Sequence, residues 1–84
     1  MIIDCGKSCI VANMVAKVRI EREDKRRKES GWELCIFTLG PHYSETVYSS
    51  DDYADVYNVY QALMGKLSAP TEGIIKISEL AGGL

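Results

Sequence analysis

The chain has 84 residues and a net charge of −2, from 10 Lys and Arg against 12 Asp and Glu. A single small domain over residues 1–84 is the expectation, because a chain this short buries only about 60% of its unfolded surface even with one core. Its 46% hydrophobic and 26% charged fractions fit an ordinary globular protein, no apolar run approaches the ~18 residues of a membrane span, and the slightly acidic balance argues against wholesale attraction to nucleic acid.

Met1-Ile2-Ile3 runs straight into Asp4. This is not the basic start, apolar segment and small-residue cleavage site of a secretory leader, so the expected location is the cytoplasm. Residues 2–4 suit a short first strand. Cys5-Gly6-Lys7-Ser8 has the composition of a turn into residues 9–12. Cys5, Cys9 and Cys35 make an odd set without Cys-x-x-Cys spacing, which disfavours disulfides and zinc and leaves three reduced, small hydrophobes.

Asn13 marks a kink or bulge. Beyond it Met14, Ala16, Val18 and Ile20 alternate with Val15, Lys17, Arg19 and Glu21, the period-two pattern of a strand in water on one side. Nine charged residues in a row follow, 21–29. Such a block cannot enter a core, so it is read as the exposed connection of a long hairpin. Trp32, Leu34 and Ile36 then line one face of the returning strand, and Cys35, Phe37 and Leu39 the other. Both faces are apolar. A strand of that kind is central, or in a closed barrel, or pressed on one side by another chain. Gly40-Pro41 ends it, and residues 43–48 read as the next strand.

Ser49-Ser50-Asp51-Asp52 is the clearest helix start, with Ser49 as cap and Asp52 three residues on in the manner of a capping box. Asp51, Asp52 and Asp55 suit the positive end of the helix dipole and Lys66 the negative end. Val56, Tyr60, Leu63 and Leu67 centre one helix face, flanked by Val59 on one edge and by Tyr53, Tyr57 and Met64 on the other. Asp51, Asp55, Asn58, Ala62 and Lys66 lie opposite. Residues 68–73 form a loop, 74–77 a short last strand at a sheet edge, and 81–84 a frayed tail. The expected fold is α+β: a bent antiparallel β-meander of about five strands, barrel-like if the first hairpin curls over, with one amphipathic helix and a short C-terminal strand.

The order of elements resembles a widespread group of short bacterial and phage proteins in which a bent β-meander is followed by one helix. The matching positions are Ile10-Val11 with Val15 and Val18, then Leu34 and Ile36, then Tyr48-Ser49 with Ala54 and Leu63, within residues 1–67. Most members of that group have no established activity, so the resemblance implies a fold more than a function. The Lys/Arg-rich hairpin and the tail after Lys66 depart from it.

Lys25-Arg26-Arg27-Lys28, with Arg22, is the best binding candidate by charge, since guanidinium and ammonium groups at a hairpin tip can meet phosphate oxygens or an acidic protein. A solvated tip is the plainer account, because Glu21, Glu23, Asp24 and Glu29 dilute the field. Stacking a base needs an exposed aromatic beside a positive groove, and Tyr53, Tyr57 and Tyr60 fall on or beside the buried helix face. Tyr53 and Tyr57 exposed together would instead indicate a partner interface. His42 lacks a partner at any informative spacing for acid–base work. Helix capping accounts for the aspartates without a calcium loop, and Gly6-Lys7-Ser8 lacks the earlier glycine of a phosphate loop.

The expectation is therefore a non-enzymatic interaction or regulatory module of bacterial or phage origin. No cofactor, metal or catalytic residue is assigned. Self-association, as a homodimer or higher assembly, follows from the two-sided strand, since one helix covers one sheet face. The candidate interface is Cys35, Phe37, Leu39, Tyr53 and Tyr57. The alternative is a nucleic-acid or nucleotide-phosphate binder using Arg22 and Lys25, Arg26, Arg27 and Lys28.

Overall fold

A computed structural model describes residues 1–24, 26, 30–40, 44–68 and 73–82. The chain runs β1 (Ile2–Asp4), β2 (Cys9–Val11), a 3-10 turn (Ala12–Met14), β3 (Val15–Arg22), β4 (Trp32–Thr38), β5 (Ser44–Ser50), α1 (Tyr53–Ser68), β6 (Ile74–Lys76) and α2 (Ile77–Gly82). The class is α+β, as the alternation of periods two and 3.6 implies. The strands do not form one meander of five. They divide into a three-stranded antiparallel meander, β3-β4-β5, and a separate mixed sheet, β2-β1-β6.

The first hairpin turns where the sequence is small and flexible. Gly6 sits at φ +90°, open to glycine at little cost, and its N–H donates to Asp4 Oδ1 at 2.9 Å, while the Cys5 N–H reaches the Ser8 carbonyl. β1 pairs antiparallel with β2 and parallel with β6, which places Ile10, Ile3 and Ile75 side by side across the small sheet. All three are buried. With Leu34, Ile36, Val56, Val59, Leu63 and Ile77 they make one core. The small sheet and α1 thus share the Leu34/Ile36 side of the meander. The hairpin does not curl around to close a barrel; both sheets are open among the described residues.

Facing residues of an antiparallel pair point to the same side. Val18 opposite Ile36 and Ile20 opposite Leu34 therefore face the core, and Lys17 opposite Phe37, Arg19 opposite Cys35 and Glu21 opposite Glu33 face away from it. The predicted alternation holds from Lys17 onward and fails before it. A bulge between Val15 and Lys17 turns Val15 toward the core and leaves Ala16 and Met14 exposed; an extra residue lets the strand bend where it leaves the small sheet. β3 also runs two residues into the charged block, and the ladder continues with Glu23 N–H to the Gly31 carbonyl at 2.9 Å. Charges are compatible with a strand that has one face in water.

The helix cap differs from the predicted one. Ser49 and Ser50 complete β5, and Asp52 caps α1 by accepting the Ala54 N–H at 3.0 Å. Asp52 itself is held by Ser50 Oγ. Seven-residue β5 matches β4 in length, and that pairing outcompetes a serine cap. Val56, Val59 and Leu63 form the buried stripe of α1, so the helix is rolled toward Val59, and Tyr53, Tyr57 and Met64 come out into solvent. Asp55, expected on the far side, is half-buried and accepts a 2.7 Å bond from Tyr48 Oη. The predicted last strand is present as β6. The predicted frayed tail, 81–84, is corrected at its start: Ala81 lies in α2, whose Ile77 is buried in the core and whose Leu80 and Ala81 pack on it, while residues 83–84 lie outside the described residues.

Candidate functional site

The expected interface residues separate into two places. Cys35 is 7% exposed, yet neither α1 nor the small sheet lies on its side of β4. The groups around it come from its own sheet: Arg19 and Thr46 stand opposite, Thr46 Oγ1 is 3.7 Å from the sulfur, and Glu21 and Glu33 are near enough to act on the thiol. Burial pushes its ionisation upward, partly offset by the Thr46 hydroxyl. Phe37 is half-buried under Lys17, whose Nζ lies 4.7 Å from the ring centroid. Leu39 lies past the end of β4 and is 58% exposed. Within one chain this face is thus covered in part by side chains of its own sheet, while Leu39 stays open. Long charged side chains bury apolar surface along their stems and keep their heads in water.

Tyr53 and Tyr57 are exposed together, at 45% and 39%, and they belong to a continuous row. Arg22 Cζ lies 4.3 Å over the Trp32 ring, Trp32 meets Tyr53 edge-on at 4.9 Å, Tyr53 stacks on Tyr57 at 6.0 Å, and Tyr57 on Tyr60 at 6.1 Å. These spacings are those of favourable aromatic pairs. The row exists because 53, 57, 60 and 64 recur at helical spacing, while Arg22 and Trp32 are cross-strand partners at the adjoining end of the meander. Gln61 Nε2 donates to the Tyr57 hydroxyl at 2.9 Å and fixes that ring.

Beyond Tyr60 the stripe continues through Met64 and Leu67 into a groove of about 530 Å³. Its other wall is Val11, Val15 and Val18. The groove runs beside β3, an edge strand paired only with β4 among the described residues. Ridge, groove and open strand edge form one surface. The helical spacing of the tyrosines was readable from the sequence; the groove was not, because its wall depends on the bulge that turns Val15 inward.

The remaining candidates are dispersed. Lys25, Arg27, Lys28 and His42 lie outside the described residues. Arg26 is exposed, its N–H bonded to Asp24 Oδ1, and Arg22 lies on Trp32. The Gly6-Lys7-Ser8 turn bonds through Ser8 Oγ to Glu45. Among the described residues no cluster of His, Cys, Asp and Glu could hold a metal ion, and no helix is long and apolar enough to cross a membrane. Burial, with Glu45, Asp4 and Cys9 nearby, pushes the Cys5 thiol up to about 11, so it is protonated and a poor nucleophile near neutrality.

No protein-family model, curated protein or solved structure matches this chain.

Proposed function

We propose that the chain is a non-enzymatic interaction module that self-associates, of the kind expected among short bacterial and phage proteins, and that its binding surface is the tyrosine ridge with the groove and strand edge beside it. The observation that carries the reading is the pair Tyr53 and Tyr57, both exposed and stacked in line with Trp32. Tyrosine and tryptophan are enriched among the few residues that dominate binding energy, since they bring large area with few rotatable bonds. Nothing in the core requires either tyrosine to be aromatic: the buried stripe of the helix is Val56, Val59 and Leu63.

Sedimentation velocity over a concentration series tests this. The unchanged chain is expected to associate, and the double variant Tyr53→Ser, Tyr57→Ser to associate at least about tenfold more weakly while keeping its circular dichroism, because hot-spot aromatics are each worth a kcal/mol or more. A unchanged chain that stays strictly monomeric at high concentration, or association indifferent to the double variant, would count against the ridge.

A further inference from the structure

We infer that the partner on this surface is a second copy of the chain, paired antiparallel along β3 about a two-fold axis at Ile20. The inference rests on the self-association proposed above and adds the element, the direction and the register.

The backbone is positioned for it. The Glu23 N–H bonds Gly31 of the hairpin, and in an antiparallel ladder the residues whose N–H and C=O point to the neighbour alternate. Those of Val18 and Ile20 therefore point away from β4, to the edge that is open among the described residues. An antiparallel copy centred on Ile20 sets Val18 opposite Arg22 and Ile20 opposite its own symmetry mate, with which Ile20 exchanges a pair of backbone hydrogen bonds. The bulge between Val15 and Lys17 ends the regular stretch one residue beyond Val18, where this pairing ends too.

The order of charges selects the register. On the face away from the core β3 carries Lys17, Arg19 and Glu21, and the ladder extends to Glu23: two positive charges, then two negative. Charges on an edge strand ordinarily discourage pairing, and most arrangements of this strand with itself do repel. Parallel in-register pairing places each charge on its like. An antiparallel copy shifted by two residues one way sets Arg19 on Arg19, and shifted the other way sets Glu21 on Glu21. Centred on Ile20, Lys17 faces Glu23 and Arg19 faces Glu21, each pair occurring twice by symmetry, so every charge on that face meets its opposite. The Arg19–Glu21 approach within one chain, at 3.9 Å with the Arg19 side chain 54% exposed, leaves the guanidinium accessible from the edge.

The ridge completes the contact. A two-fold axis normal to the sheet keeps both α1 helices on the same face of a six-stranded sheet. Each helix lies over the middle of its own three strands, so the two stand about 14 Å apart, three strand spacings. That is wider than the 8–10 Å of helices packed directly, and the flanks that face each other carry Tyr53, Tyr57 and Met64. Long side chains fill such a gap. Strand pairing alone buries too little surface for a stable dimer, and the two ridges supply the remainder.

A charge-reversal experiment tests the element and a cross-link tests the register. Lys17→Glu with Arg19→Glu makes the edge wholly negative, and Glu21→Lys with Glu23→Lys makes it wholly positive. Each double variant alone is expected to raise the dimer dissociation constant at least about 100-fold, and an equimolar mixture of the two to restore a one-to-one heterodimer, which also shows that both variants fold. In the unchanged dimer, carbodiimide coupling of mixed isotope-labelled and unlabelled chains should join Lys17 of one copy to Glu23 of the other. Within one strand these residues are ~20 Å apart and cannot be joined. A dimer that forms but is indifferent to both reversals overturns the β3 pairing and leaves the tyrosine ridge standing. Coupling of Lys17 to Glu21 across copies overturns the register, and a monomeric unchanged chain overturns the inference together with the self-association on which it rests.

Discussion

Across the solvent side of the small sheet stand Val11, Ile2 and Ile74, all exposed, whereas across the solvent side of the meander stand Arg19, Cys35 and Thr46, with the thiol buried. Both rows contain apolar groups on a face that neither helix covers. The difference lies in the flanking side chains. The solvent side of the small sheet has a second row, Cys9, Asp4 and Lys76, but its one long side chain, Lys76, lies toward Glu79, so the aliphatics stay bare. In the meander Lys17 reaches over Phe37, and Cys35 sits among Arg19, Thr46, Glu21 and Glu33 of its own sheet. A greasy strand face is thus no proof of a covering partner; what surrounds it on the same sheet decides.

The comparison is broken most severely from the core side. Ile36→Ala removes a fully buried side chain and is expected to cost about 2–5 kcal/mol in denaturant unfolding. Phe37→Ala, one residue along but under a single lysine stem, is expected to cost less than half as much despite the larger side chain. Equal losses would mean that the outer face is as tightly packed as the inner one. Ile74→Lys, in the bare row of the small sheet, should stay within about 0.5 kcal/mol.

Tyr48→Phe sharpens the same contrast at smaller scale. Its hydroxyl donates to Asp55 across the seam between β5 and α1, and that bond raises the ionisation of the phenol. Removing it should cost about 1 kcal/mol with no change in association. The thiols give the mildest test. Cys9 is exposed, Cys5 half-buried and Cys35 buried, so a thiol reagent at neutral pH should label Cys9 first. Burial raises the ionisation of Cys5 to about 11 from an ordinary value of 9.0. The unfolded chain therefore loses this proton first, and unfolding free energy should hold below about pH 9 and fall between there and about pH 11. Stability that rises across that window would contradict the buried, protonated thiol.

Some of this architecture could be read locally. Alternation over Lys17, Val18, Arg19, Ile20 and Glu21 placed the right residues on each face, because a pleated strand has no other way to divide its side chains. The helical recurrence of Tyr53, Tyr57, Tyr60 and Met64 similarly put the future ridge in one stripe. The phase at Met14, Val15 and Ala16 was not legible. Either choice satisfies the alternation, and the bulge that decided it is set by where the small sheet needs Val15. The cap was not legible either, since Ser49 and Asp52 are both good caps and only the length of β4 chose between them.

By itself the sequence determined the periodicities: which stretches extend, which one winds, and which face of each is apolar, since these follow from backbone geometry and side-chain chemistry within a few residues. The tertiary structure alone decided that β1 lies parallel to β6 from the other end of the chain, that Ile77 anchors a second helix, and that the tyrosine stripe borders a strand edge left open among the described residues. Those features depend on contacts between distant segments, whose free energy is realised only when the core that joins them has formed.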